Sequence, residues 1–101
     1  MKNLFSLPMP GPEEQVDILV QGGPVRIEKI VSTGQASGWY NQTETEYVAL
    51  LQGEATLEYE NGRLLLMAAG DTLLIPSGEK HRVAKTSTDP PCVWLCVFYR
   101  E

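Results

Sequence analysis

GDTLLIPSGEKHRVAK, residues 70–85, holds the only histidine of the chain, His81, and its punctuation decides how the rest is read. Gly70 and Asp71 make a turn, and the apolar, partly β-branched run Thr72 to Ile75 reads as a short strand. Pro76 has no N–H to give to a ladder, so it must sit at a strand end. Ser77 and Gly78 complete the break. His81 then opens a return strand, His-Arg-Val-Ala, on which it shares a face with Val83 and opposes Arg82. If Val83 points into a core, His81 does too. A histidine so placed suits a satisfied core position as well as a working site.

Outward from this stretch the same grammar repeats. Ala55 to Glu60 alternates Ala55, Leu57 and Tyr59 against Thr56, Glu58 and Glu60, and Asn61-Gly62 then turns the chain into Arg63 to Met67. Val16 to Gln21 and Val25 to Ser32 read as two strands reversed at Gly22-Gly23-Pro24. On the second, Val25, Ile27 and Val31 fall on one side, Arg26 and Glu28 on the other. Thr33 to Gly38 is a loop. Trp39 to Leu51 reads as one strand, polar then apolar, or as a strand with a bent start. A loop with Asp89, Pro90 and Pro91 precedes a last strand, Val93 to Tyr99. No window shows helical spacing with caps. Short strands separated by turn signals predict an all-β sandwich or barrel.

The spacing Gly70, five residues, Pro76, four residues, His81, three residues, Lys85 is similar to the second motif of the cupin superfamily. That motif ends in Asn, where this chain has Lys85. The first motif of the family runs Gly, five residues, His, one residue, His, three or four residues, Glu, six residues, Gly. Here Gly34, Glu46 and Gly53 match it, while Tyr40 and Gln42 stand where the two histidines belong. With the longer gap, Trp39 and Asn41 stand there instead. In either register both histidines of the first motif are missing.

The resemblance spans Gly34 to Lys85. It implies one cupin domain over residues 1–101, an antiparallel jelly-roll β-barrel, behind an irregular lead-in at 1–15. It does not imply one reaction, since the superfamily includes dioxygenases, isomerases, decarboxylases, epimerases, metal-free binding domains and storage proteins. Function must therefore be read from the site.

On a straight strand Tyr40, Gln42, Glu44 and Glu46 share one face. Glu44 reads equally as a rim carboxylate. Glu46, just ahead of the apolar run YVALL, needs a cation, a donor or a proton to offset its desolvation. With His81 these residues form the expected metal set: His81, Glu46, Gln42, Tyr40 and Glu44, with His81 and Glu46 also as the catalytic pair. Gln and Tyr in place of imidazoles weaken the hold on Zn, Ni or Fe and favour harder ions such as Mn or Mg. The expectation is a divalent metal (Mn, Fe, Ni or Zn) serving an enzyme that acts on a small polar molecule. Its alternatives are a metal-free pocket that binds or senses a small ligand, with Trp39 and Tyr40 as an aromatic wall, and a vestigial barrel used for protein interaction. In the metal-free case Glu46 and His81 form an acid/base pair.

Composition bounds the partners. A net charge of −5 argues against nucleic acid and anionic membrane, which want clustered Lys and Arg. No apolar stretch approaches the roughly 20 residues that span a bilayer. The first residues, MKNLFSLPMPGPEEQ, are broken by Pro8, Pro10 and Pro12 and do not form a secretory signal. Cys92 and Cys96 lie on one strand face, roughly 13 Å apart, too far for a disulfide. A cytoplasmic location follows as the expectation. Tyr47 to Leu51, Leu64 to Met67 and Val93 to Phe98 are apolar on both faces, and the segment Phe5 to Val20 can cover only part of that surface. A homodimer burying one sheet face is therefore expected.

Overall fold

The computed structural model describes residues 1–100. Glu101, the last residue of the expected domain, lies outside the described residues. Eight strands run in the order β1 (Gln15–Gly22), β2 (Val25–Ser32), β3 (Thr45–Gln52), β4 (Glu54–Tyr59), β5 (Leu64–Ala68), β6 (Thr72–Ile75), β7 (His81–Thr86) and β8 (Cys92–Tyr99). Among the described residues no helix forms. All pairings are antiparallel.

The strands make two facing sheets, one of five strands in the order β1-β2-β8-β3-β6 and one of three in the order β5-β4-β7. This is the double-sheet, jelly-roll solution to burying one face of each sheet. The core between the sheets is built from the inward residues of the alternating strands. Leu50 and Leu57, at 0% and 2% exposed, meet Ile75, Met67, Trp94 and Phe98 there. The indole Nε1–H of Trp94 donates to Ser32 Oγ at 3.1 Å, so the one polar atom of that ring is satisfied in the core.

The hairpin at Asn61-Gly62 is present. Gly62 N–H donates to Tyr59 O at 2.9 Å, Tyr59 N–H to Arg63 O at 2.9 Å, and Arg63 N–H to Asn61 Oδ1 at 2.9 Å. The corner between β3 and β4 is tight. Gly53 has φ at 91°, and a Cβ there would stand 2.9 Å from Cys92 Cα. Ser87 Oγ accepts from Glu54 N–H at 3.0 Å beside it, which ties this corner to the end of β7.

Several strand ends, among them those of β4, β5 and β8, fall a residue or two from the expected bounds, and two further differences matter here. The lead-in ends one residue earlier than expected, because Gln15 already pairs with Val31. Residues 39–44 do not continue β3. Tyr40 instead forms an isolated bridge with His81, with Tyr40 N–H donating to His81 O at 2.7 Å and His81 N–H to Tyr40 O at 3.1 Å. The chain therefore pairs with the small sheet at Tyr40 and joins the large sheet at Thr45, which pairs with Tyr99. This crossing from one sheet to the other is the bent start of the strand, and its Tyr40, Gln42 and Glu44 line the space between the sheets.

The second strand presents its charges inward. Arg26 pairs with Phe98 and Glu28 with Cys96, whose side chains face the interior, while Ile27 and Val97 pair on the outside. Across the outer face of the large sheet, Leu74, Tyr47, Val97, Ile27 and Val20 form a continuous row of cross-strand neighbours. Leu74, Tyr47 and Val20 are 52%, 43% and 52% exposed. The lead-in packs on the adjoining area near Val31, where Lys29 Nζ donates to Ser6 O at 2.6 Å.

Candidate functional site

A cavity of about 450 Å³ lies between the sheets beside residues 40–44. Its floor is hydrocarbon and aromatic: Val48, Leu57, Ile75, Trp94 and Phe98. Its polar groups come from five places, the first being the lead-in, which supplies Glu14. β2 supplies Arg26 and Glu28, the crossing segment supplies Tyr40, Gln42 and Glu44, and β3 and β7 supply Glu46 and His81. Thus every residue of the expected site lines one cavity. Trp39 does not, since it lies outside at 45% exposed, with Arg82 Cζ 5.3 Å from its ring centroid.

Glu46 and His81 are the deepest polar pair, with side chains 10% and 4% exposed. His81 Nδ1 lies 2.9 Å from the Glu79 carbonyl oxygen. A carbonyl can only accept, so Nδ1 carries the hydrogen and Nε2 is the nitrogen turned to the cavity. Nε2 stands 3.8 Å from Glu46 Oε1, longer than a hydrogen bond. Glu46 Oε1 accepts from Gln42 Nε2 at 3.1 Å. Burial nonetheless dominates and raises the Glu46 pKa above its ordinary value of 4.5, with Gln42 and His81 opposing the shift. The same burial pushes the Cys96 thiol well up, so it stays protonated. Among the described residues both cysteines are free.

The remaining polar groups are already engaged. Arg26 donates through Nε to Glu28 at 2.7 Å and through Nη1 to Glu44 at 3.0 Å, with its guanidinium carbon 4.3 Å from the centre of the Phe98 ring. Tyr40 Oη lies 3.4 Å from Glu14 Oε1, and burial, then Glu14, raise the phenol pKa, which keeps it un-ionised. Its ring centroid is 5.5 Å from that of His81.

A resident transition-metal ion such as zinc is held by three or more converging anionic or imidazole donors, and among the described residues no such group of His, Cys, Asp and Glu exists. Glu46 and His81 supply two. Glu44 is held off by Arg26, Tyr40 is a phenol, and Gln42 turns its N–H to Glu46 rather than an oxygen to a common point. As arranged, the donor set does not fit such an ion.

Arg26, Glu28 and Glu14 were missed by the sequence reading. The available signal was the strict alternation Arg26, Glu28, Ile30 on β2, but the apolar side of that strand turns outward, against the usual assignment.

Two facing antiparallel sheets with a polar pair in an internal cavity define a small-barrel protein of the cupin type. The cupin domain family matches residues 28–98, and the chain belongs to that family. Among solved structures it is similar to a putative mannose-6-phosphate isomerase from Ralstonia eutropha JMP134, 36% identical, with 100% of this chain and 98% of that one covered at a TM-score of 0.93. It is also similar to the TT1209 protein of Thermus thermophilus, at 21% identity, 99% and 96% coverage and a TM-score of 0.82. The polyketide cyclase RemF from Streptomyces resistomycificus shares 20% identity over 89% of this chain and 67% of that one, with a TM-score of 0.76. The last two likenesses bear on the fold alone. No curated protein matches the chain. Among the described residues no helix is long and apolar enough to cross a membrane.

Proposed function

We propose that this cupin binds a small molecule in its cavity without a resident metal. The observation that carries this reading is the donor geometry: only Glu46 and His81 converge, 3.8 Å apart, while Gln42 donates its N–H to Glu46. The expected metal-dependent enzyme would need a third charged or imidazole donor at that point. A second reading is acid/base chemistry by the same pair, favoured by the raised pKa of Glu46, which makes it a proton donor closer to neutral pH. Isomerisation, in the name of the Ralstonia protein, is a reaction of that kind. A phosphorylated sugar suits this cavity poorly, since Arg26 is its one guanidinium and two carboxylates already hold it.

The test is metal content after incubation with Mn, Fe, Ni and Zn, for wild type, His81→Ala and Glu46→Gln. The expected result is no uptake that depends on either side chain. A stoichiometric ion in the wild type that His81→Ala loses would overturn the metal-free reading.

The pH dependence of stability gives an independent measurement. Glu46 has a folded pKa above its ordinary 4.5, so the native state holds this proton more tightly than the unfolded chain. Its contribution to stability is complete below that ordinary value and is lost as pH rises through the folded pKa. Glu46→Gln should therefore unfold at higher urea concentration than wild type at pH 8, by a margin that shrinks at pH 4. A resident cation paired with Glu46 predicts the opposite sign at pH 8.

Assembly and location belong to the same proposal. A second copy of the chain covers the apolar row Leu74, Tyr47, Val97, Ile27 and Val20, because a row this long and free of charge is self-complementary about a two-fold axis. Free, buried Cys92 and Cys96 suit a reducing, cytoplasmic compartment.

A further inference from the structure

We propose that the ligand is a small organic cation, an amine on an apolar body, selected by the carboxylates Glu28 and Glu44. This rests on the ligand-binding reading above and names its substrate class.

The hydrogen-bonding inventory of the cavity is one-sided. Its N–H and O–H groups are largely spent inside the wall: Gln42 on Glu46, Tyr40 on Glu14, and two arms of Arg26 on Glu28 and Glu44. The places left open are acceptors. His81 Nε2 belongs to a side chain only 4% exposed, makes no hydrogen bond among the described residues, and faces the cavity. The carboxylates of Glu28 and Glu44, 13% and 17% exposed, each have further lone pairs beyond the one Arg26 takes. A bound molecule that completes this wall must bring donors, and an ammonium group brings three.

Charge points the same way. Glu14, Glu28, Glu44 and Glu46 line the cavity against a single guanidinium. An anion reaching Arg26 would have to settle beside the two carboxylates that already hold it, in a space where water screens poorly. An ammonium would share those carboxylates with Arg26. The floor of Leu57, Ile75, Val48 and Trp94 offers no polar contact apart from the indole N–H, which is bonded to Ser32. It suits a hydrocarbon or aromatic body of modest size.

Arg26 gives the proposal a test of sign. In a cation site it competes with the ligand for Glu28 and Glu44, so its removal strengthens binding. In an anion site it is the ligand's partner, so its removal abolishes binding. The probes are 2-phenylethylamine, 2-phenylethanol and phenylacetate, titrated at pH 7 into wild type, Arg26→Gln and Glu44→Gln. The readout is the indole N–H resonance of Trp94, with Trp39 outside the cavity as an internal reference and spectral dispersion as the check on folding. The amine is expected to bind wild type about tenfold tighter than the alcohol. It should tighten further in Arg26→Gln and lose that advantage in Glu44→Gln. Phenylacetate binding tighter than the amine, and weakened in Arg26→Gln, would overturn the proposal. An alcohol that matches the amine in all three proteins would also overturn it, while leaving the ligand-binding cavity standing. If none of the probes moves the Trp94 resonance in a folded protein, the cation proposal and the binding reading fail together.

Discussion

Gly53→Ala should unfold in urea far below wild type, with the slope of the transition unchanged. Two costs combine at this corner. A residue with a side chain held at φ of 91° gives up roughly 1–2 kcal/mol to backbone strain. The new Cβ would also meet Cys92 Cα and Sγ at 2.9 Å and Ser87 Oγ at 2.8 Å. Forcing an extra carbon into packed surroundings costs about 1–3 kcal/mol more. The expected loss is about 3 kcal/mol, and with a slope of about 1.5 kcal/mol per molar it moves the urea midpoint down by about 2 M. Gly70→Ala is the control. Its φ is 96°, but a Cβ there meets nothing within 4 Å, so only the strain applies. Equal losses at the two positions would show that the contact with Cys92 is relieved at no cost.

The second large effect concerns the outer face. Tyr47→Glu should convert the proposed dimer to a monomer at micromolar concentration, measured by light scattering. Tyr47 lies in the row between Leu74 and Val97, on the strand that pairs with both β6 and β8. About a two-fold axis every substitution enters the interface twice, and the two new carboxylates add to a chain already at −5. Loss of a central aromatic contact costs about 2 kcal/mol at each copy, which together weakens association about a thousandfold. At 43% exposed, Tyr47 is not part of the core, so the fold should survive the change. Leu66→Glu, on the outer face of the small sheet and 76% exposed, should leave the mass unchanged. A wild-type monomer, or a dimer broken by Leu66→Glu and not by Tyr47→Glu, would show that this face is not the interface.

Much of the fold was legible because turn chemistry and alternation act locally. Pro76, Ser77 and Gly78 placed the end of β6 at Ile75 and the start of β7 at His81, and the structure has both. Alternation in Ala55, Leu57 and Tyr59 placed the inner face of β4, and all three are buried. Motif spacing brought Glu46 and His81 to one cavity from separate strands. What local pattern could not show was the direction of β2. Its apolar side chains face outward because the outer surface of this sheet is itself apolar, and its charged ones face inward, where Arg26 bridges Glu28 and Glu44. Nor could it show that Tyr40 bridges to His81, since that hydrogen bond joins residues far apart in sequence and moves the chain from one sheet to the other. The expected set of metal donors depended on both features. With Glu44 drawn to Arg26 and Gln42 turned to Glu46, the same residues line the cavity without converging on a point.

The place of β8 sets a schedule for synthesis. It lies between β2 and β3 and is hydrogen-bonded to both, yet it is the last of these eight strands to leave the ribosome. Until it arrives β2 and β3 have no shared neighbour, and Val48 and Leu50 have no Cys96 or Trp94 to pair with. At ordinary elongation rates, the stretch from the end of β3 to the start of β8 takes roughly two to eight seconds to make. Throughout that interval the nascent chain carries two open strand edges and an uncovered apolar face. That is the period in which it most needs a chaperone and is most prone to pair with the wrong neighbour.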